Sequence, residues 1–248
     1  MKRYLFLAVM FFWVSAVQAE TPNHLDGVVD KYFKGQVLTK TDDITFDVAK
    51  RALDGTQVPF KFTANKKYKN ISVVVEGNPH QLPGIGSLAL TMHPKVAPFT
   101  FETYIRMEQD SYVDVIAEDE NGKFSYNQVA IRSAGGCSAG VIYDAEAVLK
   151  EVGTMKILYS DTRASVLIKH PHHNGYQANL SNYTGLFILP EWHLSTIVVK
   201  DQDEEIWSAE FGGGSIAENP YFVFDTPKIR GHLEVLAVDT QGKQYLGK

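Results

Sequence analysis

The sequence predicts an all-β protein made of two antiparallel β-sandwiches. Apolar and polar residues alternate in short runs along most of the chain, with turn signals between the runs. Two strand-rich blocks of roughly 100 residues are separated by a glycine-rich and helical stretch. The chain of 248 residues then divides into a signal segment over 1–19, an N-terminal helical segment over 20–40, a first sandwich over 41–131, an arm and linker over 132–153, and a second sandwich over 154–248.

The elements follow in order. Lys2 and Arg3, an apolar run over 4–17 and the small-residue site Val17-Gln18-Ala19 have the form of a secretory signal peptide. The run is shorter than the roughly 20 residues of a membrane-spanning helix, and no cysteine follows it to take a lipid anchor. A soluble protein in a periplasm-like compartment is therefore expected, without a membrane partner. The formal charge of −5 becomes more negative without Lys2 and Arg3, which argues against nucleic acid as a partner. Leu25, Val28, Val29, Tyr32 and Phe33 form the apolar stripe of a short helix that Gly35 ends. Phe101, Thr103, Ile105 and Met107 alternate with Glu102, Tyr104 and Arg106, and Val113, Val115 and Ala117 form a second strand. Asn121-Gly122 marks a tight hairpin into a strand over 124–131, since both residues tolerate the positive φ that such a turn needs. Residues 141–152 read as a helix closed by Gly153. Strands resume over 166–169, 194–200, 205–209, 221–225 and 233–239, with hairpins at Asp201 and at Thr240-Gln241-Gly242.

The single cysteine, Cys137, stands in Gly135-Gly136-Cys137-Ser138-Ala139-Gly140. An exported protein meets oxidising conditions, and one cysteine cannot form an internal disulfide, so its retention points to a role for the sulfur. The small neighbours predict an exposed thiol on a flexible arm, with Gly135, Gly136 and Gly140 supplying the freedom. A disulfide-linked homodimer is the expected side reaction. A thiol of ordinary pKa is mostly protonated at neutral pH, and a cation or a helix N-terminus is needed to lower it. Arg132, just before the arm, is the candidate cation and residues 141–152 the candidate helix, while Arg132 and Arg106, the latter on a strand, are the candidates to steer an anionic ligand. His170-Pro171-His172-His173 offers imidazoles for zinc or copper only if the fold adds further ligands, so a polar hairpin tip is expected there and no metal. Phe211-Gly212-Gly213-Gly214 lacks a phosphate-loop lysine and reads as a flexible loop. No Ser/His/Asp order, HExxH or dinucleotide fingerprint is present, so neither a cofactor nor an enzymatic activity is expected.

Several stretches resemble one pair of families. Ile44-Thr45-Phe46-Asp47, Ala52, Asp54-Gly55, Val58-Pro59-Phe60, the strand over 71–75 with Asn78-Pro79, Thr103-Tyr104-Ile105-Arg106-Met107 and Gly135-Gly136-Cys137 are similar, in order, to SoxY, the carrier subunit of periplasmic sulfur oxidation. Val166-Leu167-Ile168-Lys169-His170-Pro171, Gly175, Leu189-Pro190 and the run from Ser215 to Phe224 resemble its partner subunit SoxZ. The whole resembles a fused SoxYZ carrier of the quinoprotein dehydrogenase-associated kind.

The resemblance implies two immunoglobulin-like sandwiches and a mobile arm whose Cys137 covalently holds thiosulfate-derived sulfur. It also implies partners of the SoxAX and SoxB kind, or a quinoprotein dehydrogenase system, that perform the chemistry. The chain departs from the families where Ser138 and Ala139 follow the cysteine, where Trp192 precedes His193, and at His172-His173-Asn174. Two other readings compete. A non-catalytic adaptor for a quinoprotein dehydrogenase would leave Cys137 incidental, and a cysteine enzyme would need a rigid nucleophile beside a base, which a glycine arm does not supply.

Overall fold

The computed structural model describes residues 21, 23–78, 86–181, 187–227 and 229–248. The signal peptide expected over 1–19 lies outside the described residues. Among those described, no helix is long and apolar enough to cross a membrane.

The first half contains α1 (Leu25–Phe33) and strands β1 (Leu38–Lys40), β2 (Ile44–Phe46), β3 (Arg51–Ala52), β4 (Val58–Ala64), β5 (Asn70–Val75), β6 (Ser87–Pro94), β7 (Phe99–Ile105), β8 (Ser111–Glu118) and β9 (Phe124–Ser133). After α2 (Ala145–Glu151) come β10 (Met155–Tyr159), β11 (Arg163–Ile168), β12 (Ala178–Asn179), β13 (Phe187–Ile188), β14 (Leu194–Asp201), β15 (Glu204–Phe211), β16 (Tyr221–Asp225), β17 (Leu233–Asp239) and β18 (Gln244–Gly247). The all-β class and the sandwich architecture follow the sequence. So do the hairpins: Gly122 has φ 74°, and Gln202 and Asp203, with φ 50° and 71°, turn β14 into β15.

The two sandwiches are halves of one body, because both of their sheets run through the junction. The larger sheet has the order β1-β9-β8-β5-β6-β15-β14-β17-β18, and the smaller β10-β11-β16-β7-β4-β2. Antiparallel pairing of β6 with β15, from Trp207↔Pro94 to Phe211↔Leu90, joins the halves in one layer. Pairing of β7 with β16, through Phe224↔Phe101, joins them in the other. Strict alternation along β4 and β7 sends every second residue inward, as one buried face requires. The core is continuous across the seam: Phe101 meets Trp207 edge-on at 5.5 Å and stacks on Phe222 at 5.9 Å.

The helix expected over 141–152 is shorter than its pattern. Asp144 caps it, its side chain accepting from Ala147 N at 3.1 Å, while Val141 before it is extended and bridges to Asn179. Asp144 favours its own capping bond over continuing a helix backward, so the residues between Cys137 and Asp144 stay outside the helix.

Helix α1 packs Val28 against Val74 and Ile116 on the outer face of the larger sheet. That cover explains why β8 is buried on both faces. It also encloses two carboxyl groups. Glu76 Oε2 accepts the His24 backbone N–H at 2.6 Å, whereas both Asp114 oxygens lack a donor among the described residues. Burial, and then the neighbouring Glu76, push the Asp114 carboxyl up to about 9, and burial raises Glu76 as well. The pair therefore holds a proton at neutral pH. Between the unfolded carboxyl value near 4 and about 9, the folded protein binds more protons than the unfolded chain, so stability falls as pH rises through that window and levels off above it. Thermal unfolding from pH 5 to pH 9 should show this fall, and Asp114→Asn should flatten it and raise the midpoint at pH 8. Parallel profiles for the two proteins would contradict the shared proton.

Candidate functional site

Cys137 lies at the seam, and groups from both halves close over it. Its side chain is 1% exposed. The first half supplies Glu108, just beyond β7, whose carboxylate accepts the Ser138 backbone N–H at 2.8 Å and the Ser138 hydroxyl at 2.7 Å. The second half supplies Asn174, whose Nδ2 donates to Cys137 O at 2.6 Å and to Cys137 Sγ at 3.4 Å. The thiol itself points at Gly214 O, 3.6 Å away on the loop after β15. Upstream, Gly55 N donates to Gly135 O at 3.1 Å; downstream, Val141 N donates to Ala178 O at 2.9 Å and Leu180 N to Val141 O at 2.8 Å.

The exposed, flexible arm expected from the sequence is thus a buried, docked strap in the structure. Its glycines allow close approach as much as motion. A Cβ on Gly55 would collide with the carbonyl of Gly135, one on Gly136 would stand 2.5 Å from Thr56 N, and one on Gly140 would press on Leu180 at 2.9 Å. Gly135 and Gly136 also hold φ of 93° and 149°, which L-residues rarely adopt. The Gly212-Gly213-Gly214 stretch, expected as a loose loop, packs tightly for the same reason: a Cβ on Gly212 would collide with Leu88 O.

The electrostatics of the docked thiol also differ from expectation. Burial pushes its pKa up to about 12, with Arg106 pulling it down and Glu108 pushing it up. Arg132, expected to steer anions, stands on β9 with its side chain exposed and its backbone N–H bonded to Lys50 O. The cation that acts on the sulfur is Arg106, just beyond β7.

The histidine run is no polar hairpin tip. His170, His172 and His173 are buried. Burial lowers His170 and His173 to about 4 and His172 well below its usual value, so all three are neutral at pH 7. His170 Nδ1 accepts from His172 N, His173 pairs its backbone with Trp192, and the His173 ring stands edge-on to Tyr143 at 4.9 Å. No group of three or more His, Cys, Asp or Glu able to hold a metal occurs among the described residues.

Sequence reasoning did not single out Glu108, Asn174 or Asn78 as site residues. Asn78 stitches the seam, donating to Arg106 O at 2.6 Å and to Ser215 Oγ at 2.8 Å while accepting from Glu108 N at 2.9 Å. The available signal was its place in one of the motifs that carry the family resemblance.

Comparison with known proteins locates two families on the chain. The sulfur oxidation protein SoxY family matches residues 29–137, ending on Cys137, and the sulphur oxidation protein SoxZ family matches residues 158–248. No curated protein matches in sequence. Similar solved structures include the sulfur carrier protein SoxY from Chlorobium limicola f thiosulfatophilum, at 17% identity and TM-score 0.37, covering 44% of this chain and 90% of that one. Another is a superoxide reductase (neelaredoxin) from Ignicoccus hospitalis, at 6% identity and TM-score 0.32, with the same coverage. Likenesses at that level carry no argument about function.

The docked geometry makes a direct prediction. A disulfide reagent such as dithionitrobenzoate should label native Cys137 at least about a hundredfold more slowly than the urea-unfolded chain, because the buried thiol is protonated and covered. Glu108→Ala, which removes both bonds to Ser138, should speed native labelling several-fold. Rapid native labelling, or no effect of Glu108→Ala, would contradict the strap.

Proposed function

This chain belongs to the SoxY and SoxZ families, one domain of each on a single polypeptide, and on that premise we propose that it carries thiosulfate-derived sulfur on Cys137 for partner oxidation enzymes in the periplasm. A sulfur-oxidation carrier is what the family membership supports, and carriers of this kind are generally not catalysts. The observation that carries the proposal is the position of the only cysteine. It falls on the last residue of the SoxY match, in a strap held by a few hydrogen bonds at the joint with the SoxZ domain. Although buried, Cys137 belongs to neither hydrophobic core cluster of the molecule.

The docked state is chemically silent. Attachment needs a thiolate, and burial keeps the sulfur protonated, so loading takes place with the strap lifted into water, where a thiol recovers its ordinary acidity. Loading is an oxidation. The Cys137 thiol loses its proton, a bond forms to the outer sulfur of thiosulfate, and two electrons leave to a partner oxidoreductase, giving Cys–S–S–SO3−. The strap is anchored at both ends, on β9 at Ser133 and at the Val141 bridge, with Cys137 midway. A fully extended chain keeps its Cα within roughly 14 Å of both anchors. Partners must therefore bring their catalytic groups close to the seam, since the strap cannot thread a long channel.

Intact mass after exposure to thiosulfate and an oxidising periplasmic extract provides the test. The expected result is a sulfur adduct on the wild type and none on Cys137→Ser. The serine hydroxyl can meet both Asn174 Nδ2 and Gly214 O, so its melting temperature should stay within about 4 °C of the wild type. An unmodified thiol in a stable complex with a dehydrogenase would overturn the carrier reading in favour of an adaptor.

A further inference from the structure

Among the described residues, Arg106 is a buried cation with no carboxylate paired to it. It is 2% exposed, and its guanidinium bonds come from Nη1 alone, to His172 O at 2.7 Å and to Gln177 Oε1 at 3.5 Å. The negative charges it senses are first the Cys137 sulfur, when ionised, and then Glu218, whose side chain is exposed. Gln177 Oε1 also accepts the Asn174 backbone N–H at 3.2 Å, and Asn174 touches the sulfur, so two side chains link the cation to the thiol. The backbone of Arg106 is fixed at both polar groups: its N–H donates to Ser215 O at 2.7 Å, and its carbonyl accepts from Asn78. A charge buried without a counter-ion is costly, and a fold that keeps one fixed beside a covalent attachment point leaves it available for the attached group.

We infer that Arg106 is the counter-ion for an anionic group carried on Cys137, so that the docked site favours sulfur adducts ending in an oxyanion over neutral ones of similar size; this deepens, and rests on, the carrier reading above. Any adduct adds volume behind a thiol that is already covered, and must displace the Gly213-Gly214 wall or lift the strap. A neutral adduct meets that resistance with nothing gained. A sulfonate gains charge-assisted hydrogen bonds from a planar guanidinium, whose paired N–H donors match two of its oxygens, in surroundings of low dielectric. Cargo charge then sets how firmly the strap stays closed.

The test compares two adducts made chemically on the purified protein at raised pH in mild urea, each followed to completion by mass. Tetrathionate gives Cys–S–S–SO3−: the thiolate attacks an inner sulfur, and thiosulfate departs with the electron pair of the broken S–S bond. Methyl methanethiosulfonate gives Cys–S–S–CH3 and releases methanesulfinate in the same way. After return to buffer at pH 7, the sulfonate adduct should melt at least about 3 °C above the methyl adduct. Arg106→Met should abolish that gap, and Arg106→Lys, which keeps the charge but loses the fork, should narrow it. Equal midpoints in the wild type, or a gap that persists in Arg106→Met, would overturn the inference. Should Arg106→Met fail to fold, the wild-type pair and Arg106→Lys decide: an undiminished gap in Arg106→Lys also counts against it. Chemical loading makes the outcome independent of any partner enzyme, so failure of enzymatic loading overturns the carrier reading without touching this comparison.

Discussion

The pairing of β6 with β15 and of β7 with β16 is the constraint on which the rest of the molecule depends. It turns two sandwiches into one body with a continuous aromatic core, and it fixes the loops at the ends of those strands against one another. Arg106 and Glu108 follow β7, and Gly213, Gly214 and Ser215 follow β15. The sulfur site is assembled from those strand ends. Without the ladders, Glu108 and Gly214 would belong to separate objects, and the strap between them would have nothing to dock on.

Docking and reactivity then oppose each other by simple physics. The burial that shields the thiol from stray oxidants also holds its proton, so the covered sulfur is both safe and inert. The cover is light: a carboxylate gripping Ser138, an amide gripping Cys137, and close backbone contacts at Gly55 and Gly136. Such a cover opens locally without unfolding either sheet, because none of these bonds belongs to a ladder. Two anchored ends limit the excursion, and a fused chain of this kind differs in that respect from an arm that ends in a free terminus.

Much of the frame was legible in the sequence because it rests on local rules. Alternation located β7, β8, β16 and β17, and Asn121-Gly122 located the β8–β9 hairpin. The glycine-flanked cysteine was conspicuous at once. What the sequence hid is non-local. Small neighbours around Cys137 suggested exposure, yet its cover comes from Glu108, Asn174 and Gly214, which are far away along the chain. Arg132 was nearer in sequence than Arg106, but β9 carries it to the surface while the end of β7 points Arg106 into the seam. The histidine run looked polar because its packing partners, Trp192, Tyr143 and Tyr245, are remote. Asp114 on β8 and Glu76, just beyond β5, lie on a face of the sheet that would be solvated if α1 did not cover it.

Severing the connection between the halves most directly tests the claim that the two ladders, and not the linker, hold the protein together. A protease site engineered within residues 141–153 removes the tether, which otherwise gives an effective concentration reaching millimolar. If the shared sheets and core bind the halves, the cut fragments co-elute on gel filtration at micromolar concentration and unfold in one cooperative transition. Separate elution, or two independent transitions, would contradict the account.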